Sequence, residues 1–290
     1  MRIAASVALA TLGCGRVALA TLGCGRVHFD NQNRDGGADA IDIAAGPFGP
    51  PSVIEALSSP ADEQEPTLTA DRLELVFRRG YADLFVSRRD SVADPWGPPS
   101  LIVELSTTAE EITPAISADG LTLWFCTPSP VGDYDVYVTT RPTRSSPWSP
   151  PAQVSSINTG ANEFSPSVPP GEQQLLLGRS GDLYTARRDA ADWTIPTVIE
   201  ELSTVDDEGA PRLWAGGTQI MFQFNGSGST SFDLRSSERA TSDGVFGPTR
   251  DLAELNSPAI DWDAWITEDG HYIVFGSDRS GNQEIYEALR

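Results

Sequence analysis

The run Thr267-Glu-Asp-Gly-His-Tyr-Ile-Val-Phe-Gly-Ser-Asp-Arg-Ser-Gly-Asn-Gln-Glu-Ile-Tyr286 decides the fold. It opens on an Asp-Gly turn and passes through the apolar run Tyr272–Phe275. It then turns again at Gly281-Asn282 and closes on Glu284-Ile-Tyr286. Short runs of β-branched and aromatic residues bounded by Asp, Gly and Asn read as paired strands. The same phrase stands upstream as Ser117-Ala-Asp-Gly120, Leu121-Thr-Leu-Trp-Phe125 and Asp135-Val-Tyr137, and repeat three keeps Asp182-Leu-Tyr184.

Working outward, an aromatic residue followed by a turn recurs at Phe48, Trp96, Trp148, Trp193 and Phe246, at intervals of 48, 52, 45 and 53 residues. Each leads into a similar phrase: Val53-Ile-Glu-Ala-Leu-Ser, Ile102-Val-Glu-Leu-Ser, Val198-Ile-Glu-Glu-Leu-Ser and Leu252-Ala-Glu-Leu-Asn. A strand after an acidic turn, an apolar strand, and a strand opening on an acid (Asp83, Asp135, Asp182, Asp233, Glu284) complete each period. Four short strands in about fifty residues make a propeller blade. One blade cannot bury both faces of its sheet, so blades stack in a ring.

The last repeat closely resembles the TolB-type, WD40-like propeller repeat, which reads Ser-Pro-Asp-Gly, an apolar strand, Ser-Asp-Arg, Gly-Asn and Ile-Tyr. The resemblance spans residues 47–290 and implies an all-β fold. It is weak for function, since such repeats serve binding modules, accessory domains of enzymes and lipoproteins alike. The phrase Phe48–Leu57 is an orphan outer strand, and the last repeat ends at Arg290 after its third strand. The expectation is a five-bladed β-propeller of four-stranded antiparallel blades, with the N-terminal strand completing the last blade and removing the open edge.

Residues 1–27 read as an export segment, 28–46 as a polar linker and 47–290 as the propeller. Thr11-Leu12-Gly13-Cys14 is similar to a bacterial lipobox. Val7–Arg16 recurs unchanged at Val17–Arg26, which places a second such site at Cys24. The expected location is the bacterial cell envelope, periplasm or surface, with attachment by lipid at Cys14 or Cys24. Asn31, Asn33, Asp35 and Asp42 mimic a calcium loop around Gly36, but no helices flank them and a plain linker is the better reading.

The formal charge is −21, and all 20 basic residues are arginines. Such a chain repels phosphate backbones, so nucleic acid is not an expected partner. Of three cysteines only Cys126 lies in the folded part, and His28 and His271 stand far apart. An internal disulfide and a Cys/His zinc site both lack parts. No Gly-x-Ser-x-Gly elbow and no lysine-bearing phosphate loop is present.

Three residues before the proline of each innermost strand, or before Ala264 in the last, stands an acid: Glu63, Glu111, Glu163, Glu208 and Asp261. Their regular repetition argues for strand architecture. As a ring at the channel mouth they would also suit a divalent cation such as calcium, and no other cofactor is expected. Trp262 and Trp265 depart from the repeat and are candidates for stacking on a ligand, against core packing as the plainer alternative. The expected function is a monomeric, non-catalytic scaffold binding a protein, peptide or glycan. The excursions Thr127–Asp133 and Gly226–Ser231 would carry specificity. The rival is a carbohydrate-active enzyme of glycoside hydrolase type using those five channel-mouth carboxylates, with Asp263 and Trp262 nearby.

Overall fold

The computed structural model describes residues 46–290 apart from Ala82. Cys14, Cys24, the calcium-like loop and nearly all of the linker lie outside the described residues. A two-residue strand β1 (Ser52–Val53) comes first. Blade one holds β2 (Glu63–Leu68), β3 (Glu74–Arg79), β4 (Asp83–Arg88) and β5 (Ser100–Leu101). Blade two holds β6 (Ile112–Ile116), β7 (Thr122–Pro128), β8 (Tyr134–Thr140) and β9 (Ala152–Gln153). Blade three holds β10 (Glu163–Ser167), β11 (Gln174–Arg179), β12 (Asp182–Asp189), β13 (Asp192–Trp193) and β14 (Thr197–Val198). Blade four holds β15 (Asp207–Trp214), β16 (Gln219–Asn225), β17 (Asp233–Glu238) and β18 (Arg250–Asp251). Blade five holds β19 (Asp261–Ile266), β20 (Tyr272–Ser277) and β21 (Glu284–Leu289), and β1 completes it.

All pairings are antiparallel, and β1 joins β21 with Ser52 opposite Glu287 and Val53 opposite Tyr286. The ring therefore closes as the repeat implies. The innermost strands β2, β6, β10, β15 and β19 follow one another around the channel, with β19 against β2. Each outer strand pairs over only two residues and then turns, as where Leu57 N–H donates to Ile54 C=O. The apolar phrases read as outer strands are therefore mostly turn, and their Ile and Leu side chains plug the space between blades. Blade three reaches its aromatic turn in fewer residues because β12 runs on into a tight hairpin with β13.

The second strand of each blade is a continuous apolar run because both its faces are covered. Alternate side chains go to opposite neighbours. Leu75 and Phe77 pack against blade five, whereas Val76 packs against blade two. Trp124 and Cys126 pack toward blade three, and Leu123 and Phe125 toward blade one. The buried apolar residues form five clusters, one for each blade interface.

The aromatic turn residues Phe48, Trp96, Trp148, Trp193 and Phe246 are all buried. An arginine covers each ring: Arg290, Arg89, Arg141, Arg188 and Arg239, at 4.2–4.4 Å from the ring centre. Four of these also donate Nε–H to a backbone carbonyl at 2.7–2.8 Å. A planar guanidinium does both tasks at once, which an ammonium cannot.

Each innermost strand breaks register once, between Gln64 and Thr67 in blade one and at the matching positions elsewhere. The residue before the proline, or before Ala264 in blade five, takes a left-handed backbone: Glu65, Thr113, Ser165, Ala210 and Asp263 have φ between 46° and 57°. That conformation is costly for a residue with a Cβ. Here it forms a bulge that re-aims one side chain per blade toward the channel.

Candidate functional site

The five repeating acids are almost fully enclosed, with exposures of 0–2%. Each is bonded within its own blade. A hydroxyl four residues earlier donates to the carboxylate in all five blades. Ser59, Thr107, Thr159 and Thr204 serve Glu63, Glu111, Glu163 and Glu208 at 2.5–2.6 Å, and Ser257 serves Asp261 at 2.9 Å. The backbone N–H of the same Ser or Thr donates as well. In blades one, three and five an arginine pairs with the acid and also reaches the preceding turn. Arg79 and Arg179 bond Glu63 and Glu163 at 2.7 and 2.8 Å, and Arg279 bonds Asp261. Glu111 and Glu208 have no such arginine. Burial raises both carboxyls, against the bonds from Thr107 and Thr204.

The bulged residues form a different ring, one step further into the channel. Three are uncharged, but Glu65 and Asp263, on the adjacent strands β2 and β19, are carboxylates. Glu65 accepts the Thr113 N–H at 2.6 Å, and its other oxygen lies 3.3 Å from the Arg78 guanidinium. Burial raises the Glu65 carboxyl, while Arg78 and the Thr113 N–H oppose the rise. Burial and then the charge of Glu65 push Asp263 up to about 8, against the pull of Arg78. Two neighbouring carboxyls in a desolvated site resist carrying two charges, and at Glu65 the Arg78 guanidinium and the Thr113 N–H favour the charged form.

These two acids border a cavity of about 480 Å³ at the channel mouth, a size suited to a small ligand. Its walls include Phe164, Phe232 and Trp262. The Phe232 and Trp262 rings lie 6.1 Å apart at 34°. Gly276 makes room for Trp262, since a Cβ there would stand 2.7 Å from the indole nitrogen. The two tryptophans thus part company. Trp262 faces the cavity, whereas Trp265 is buried with Leu68 and Leu75 in the interface between blades five and one.

The excursion Gly226–Ser231 leads directly into Phe232 on the cavity wall. His271 is exposed beside Asp269 at a turn. Among the described residues no three of His, Cys, Asp and Glu are grouped to hold a metal ion. Glu65 was not singled out in the sequence because it does not repeat. The available signal was that asymmetry: an acid before Pro66 and another before Ala264, where the other repeats carry Thr113, Ser165 and Ala210.

No protein-family model matches the chain, and no curated protein matches it. Solved structures do. A putative TolB from Agrobacterium tumefaciens is similar at 15% identity and TM-score 0.50, over 80% of this chain and 79% of that one. An endo-arabinase from Bacteroides thetaiotaomicron is similar at 14% identity and TM-score 0.58, over 84% of this chain and 98% of that one. The catalytic domain of an α-L-arabinofuranosidase from Coprinopsis cinerea is similar at 12% identity and TM-score 0.52, over 85% and 96%. At such identities the likeness is one of fold. It nonetheless corrects the expectation of a non-catalytic scaffold. That expectation rested on the regularity of the ring, and ring folds of this kind include carbohydrate-cleaving enzymes.

Proposed function

We propose that the protein is a carbohydrate-active enzyme of glycoside hydrolase type, with Asp263 and Glu65 as its working carboxylates. The observation that carries this reading is the pairing of the buried Glu65 with the half-buried Asp263, whose carboxyl is pushed up to about 8, beside an aromatic-walled cavity. Glycosidic cleavage needs one carboxyl to protonate the leaving oxygen and one carboxylate to act on the other side of the sugar. Asp263, protonated at neutral pH, is the acid. Glu65, whose charged form Arg78 and the Thr113 N–H favour, is the base or nucleophile. Trp262 and Phe232 offer apolar faces to a sugar ring. The enzymes similar in fold make arabinose-containing polysaccharides the first substrates to try.

The test is release of reducing sugar from arabinan, arabinoxylan and xyloglucan. Asp263→Asn and Glu65→Gln are each expected to lower kcat by about 10²–10⁴-fold. Glu111→Gln and Glu208→Gln, which alter acids bonded into their own blades, are expected to leave kcat within a few-fold. Turnover that survives in both Asp263→Asn and Glu65→Gln would sink the assignment. We further propose that the chain is exported and lipid-anchored at Cys14 or Cys24, with 28–46 as its tether. The lipobox-like segments and the TolB-type repeat support this. Labelled fatty acid incorporation, lost when both cysteines are replaced by serine, tests it.

A further inference from the structure

One position before each bulge, the innermost strand pairs with the second strand. Phe164 lies opposite Gly178 in blade three, and Trp262 lies opposite Gly276 in blade five. In both, the large side chain is on the innermost strand and the glycine is beside it. Blade four reverses the order, with Gly209 on the innermost strand and Gln223 opposite it. This leaves a gap in the wall of the channel-mouth cavity, between Phe164 of the blade before and Trp262 of the blade after. Gln223 lays its amide over that gap: a Cβ at Gly209 would stand 2.9 Å from Nε2 and 3.5 Å from Cδ. The Asp263 N–H, on the next blade, donates to Gln223 Oε1 at 3.3 Å. Because that partner is a donor, the amide must meet it with its oxygen, which fixes the amide's rotation. Nε2 makes no hydrogen bond among the described residues and is not enclosed, so its two N–H groups open on the cavity that Gln223 lines. The cations lining the cavity are both paired, Arg78 with Glu65 at 3.3 Å and Arg179 with Glu163 at 2.8 Å. Glu65, Asp207 and Asp263 line it as well. An acidic sugar would meet carboxylates and no free cation, whereas a neutral one meets an amide donor between aromatic faces.

We propose that Gly209 and Gln223 form the seat of one uncharged sugar unit, with Gln223 Nε2 donating to one of its oxygens while Oε1 fixes the backbone of Asp263. One amide then touches both the sugar and the strand that carries the acid, so the bound unit is placed relative to Asp263. The role of Asp263 rests on the glycosidase reading, but binding at the seat is measured apart from turnover. The substrate class that follows is a neutral glycan, not a polymer of uronic acids.

Calorimetry is run on Asp263→Asn, which keeps the backbone N–H and does not consume the probe, with arabinopentaose, xylopentaose and pentagalacturonate. One of the neutral pentamers is expected to bind about tenfold or more tightly than pentagalacturonate. Adding Gln223→Glu keeps the acceptor for the backbone N–H and removes both donors. It is expected to weaken binding of the neutral pentamer by about 5–20-fold, whereas a merely structural Gln223 would leave the affinity unmoved. Gly209→Ala, whose Cβ displaces the amide, is expected to have the same effect with Gln223 intact. No pentamer bound at millimolar concentration overturns the proposal, and so does an acidic pentamer bound as tightly as the neutral ones. Both results are read with Gly209 and Gln223 in place, so they stand if the added variants do not fold. Wild-type turnover separates the two readings. Binding that responds to Gln223→Glu and Gly209→Ala, without turnover by the wild type, supports the seat and sinks the glycosidase reading. Turnover by the wild type, with affinity unchanged in both variants, sinks the seat alone.

Discussion

Asp263 is held in a left-handed backbone, before an alanine, half-buried near the carboxyl of Glu65. Its proton has a measurable consequence for stability. In the unfolded chain an aspartate ionises near pH 4, whereas in the ring Asp263 holds its proton until about pH 8. Between these values the folded state binds one proton more than the unfolded state. Stability therefore falls as pH rises through that window, by up to about 1.4 kcal/mol per pH unit for one group. Asp263→Asn removes this dependence. The variant is expected to be more stable than wild type at pH 8, with the gap narrowing toward pH 5, while losing turnover. Urea midpoints at pH 5, 6, 7 and 8 check this, and a gap that widens toward pH 5 refutes it. This residue also marks what the sequence left hidden. Repetition drew attention to Glu63 and its four counterparts, which are the acids spent on holding turns. The residues set for chemistry stand two positions later, at a bulge whose existence no spacing reveals, and only two of its five members are acidic.

At the scale of the element, a short sequence phrase has a compact physical meaning. In Ser117-Ala-Asp-Gly120 the Ser117 hydroxyl donates to Asp119 at 2.6 Å, and Asp119 accepts the Leu121 N–H at 2.9 Å. Gly120 then takes a φ of 77°, which glycine reaches without strain. Thr267 and Asp269 repeat this geometry ahead of β20. Such phrases are local, so the blade count and the strand order were legible from one chain. The arginine clips were not, because each arginine meets a backbone carbonyl some twenty residues away. The clips differ in what they carry. Arg89 lies over Trp96 and bonds one carbonyl, Arg72 C=O. Arg141 lies over Trp148 and also holds the buried Glu74 of blade one through two bonds of 2.8 Å. Removing Arg89 is expected to cost about 1–2 kcal/mol. Removing Arg141 leaves the enclosed Glu74 with the half-exposed Arg88 alone, at 2.9 Å, and is expected to cost more, about 2–4 kcal/mol. Arg141→Met with Glu74→Leu should recover much of that loss. Denaturant midpoints of Arg89→Met, Arg141→Met and the double variant decide it, and equal losses in the two single variants would refute the distinction.

The whole ring is held shut by a pairing between segments distant in sequence. Val53 lies opposite Tyr286, and Gly49 N–H donates to Leu289 C=O at 2.8 Å. Arg290 covers Phe48 at 4.3 Å, as Arg89 covers Trp96, Arg141 covers Trp148 and Arg239 covers Phe246. In those three blades the aromatic follows its arginine by seven residues. In how its outer strand is reached, blade five differs from its neighbours in lacking that covalent link. A circular permutant that begins at Ser58, and that carries Phe48–Leu57 after Arg290 through a six-residue copy of 240–245, supplies it. The permutant gives every blade the same chain order, and its covalent loop replaces a contact that otherwise closes only when the whole ring has formed. Closing a loop of hundreds of residues costs more entropy than closing a short one, though only logarithmically. The permutant is thus expected to melt within a few degrees of the parent and to fold faster, because its last blade assembles from local contacts. A chain that starts at Ser58 without the transplanted segment exposes the edge of β21 and uncovers Tyr286 and Ile285. It is expected to lose cooperative unfolding or to self-associate through that edge. Stopped-flow refolding and sedimentation of the two chains separate these outcomes. A truncated chain that stays monomeric and melts like the parent would show that β1 does not close the ring energetically.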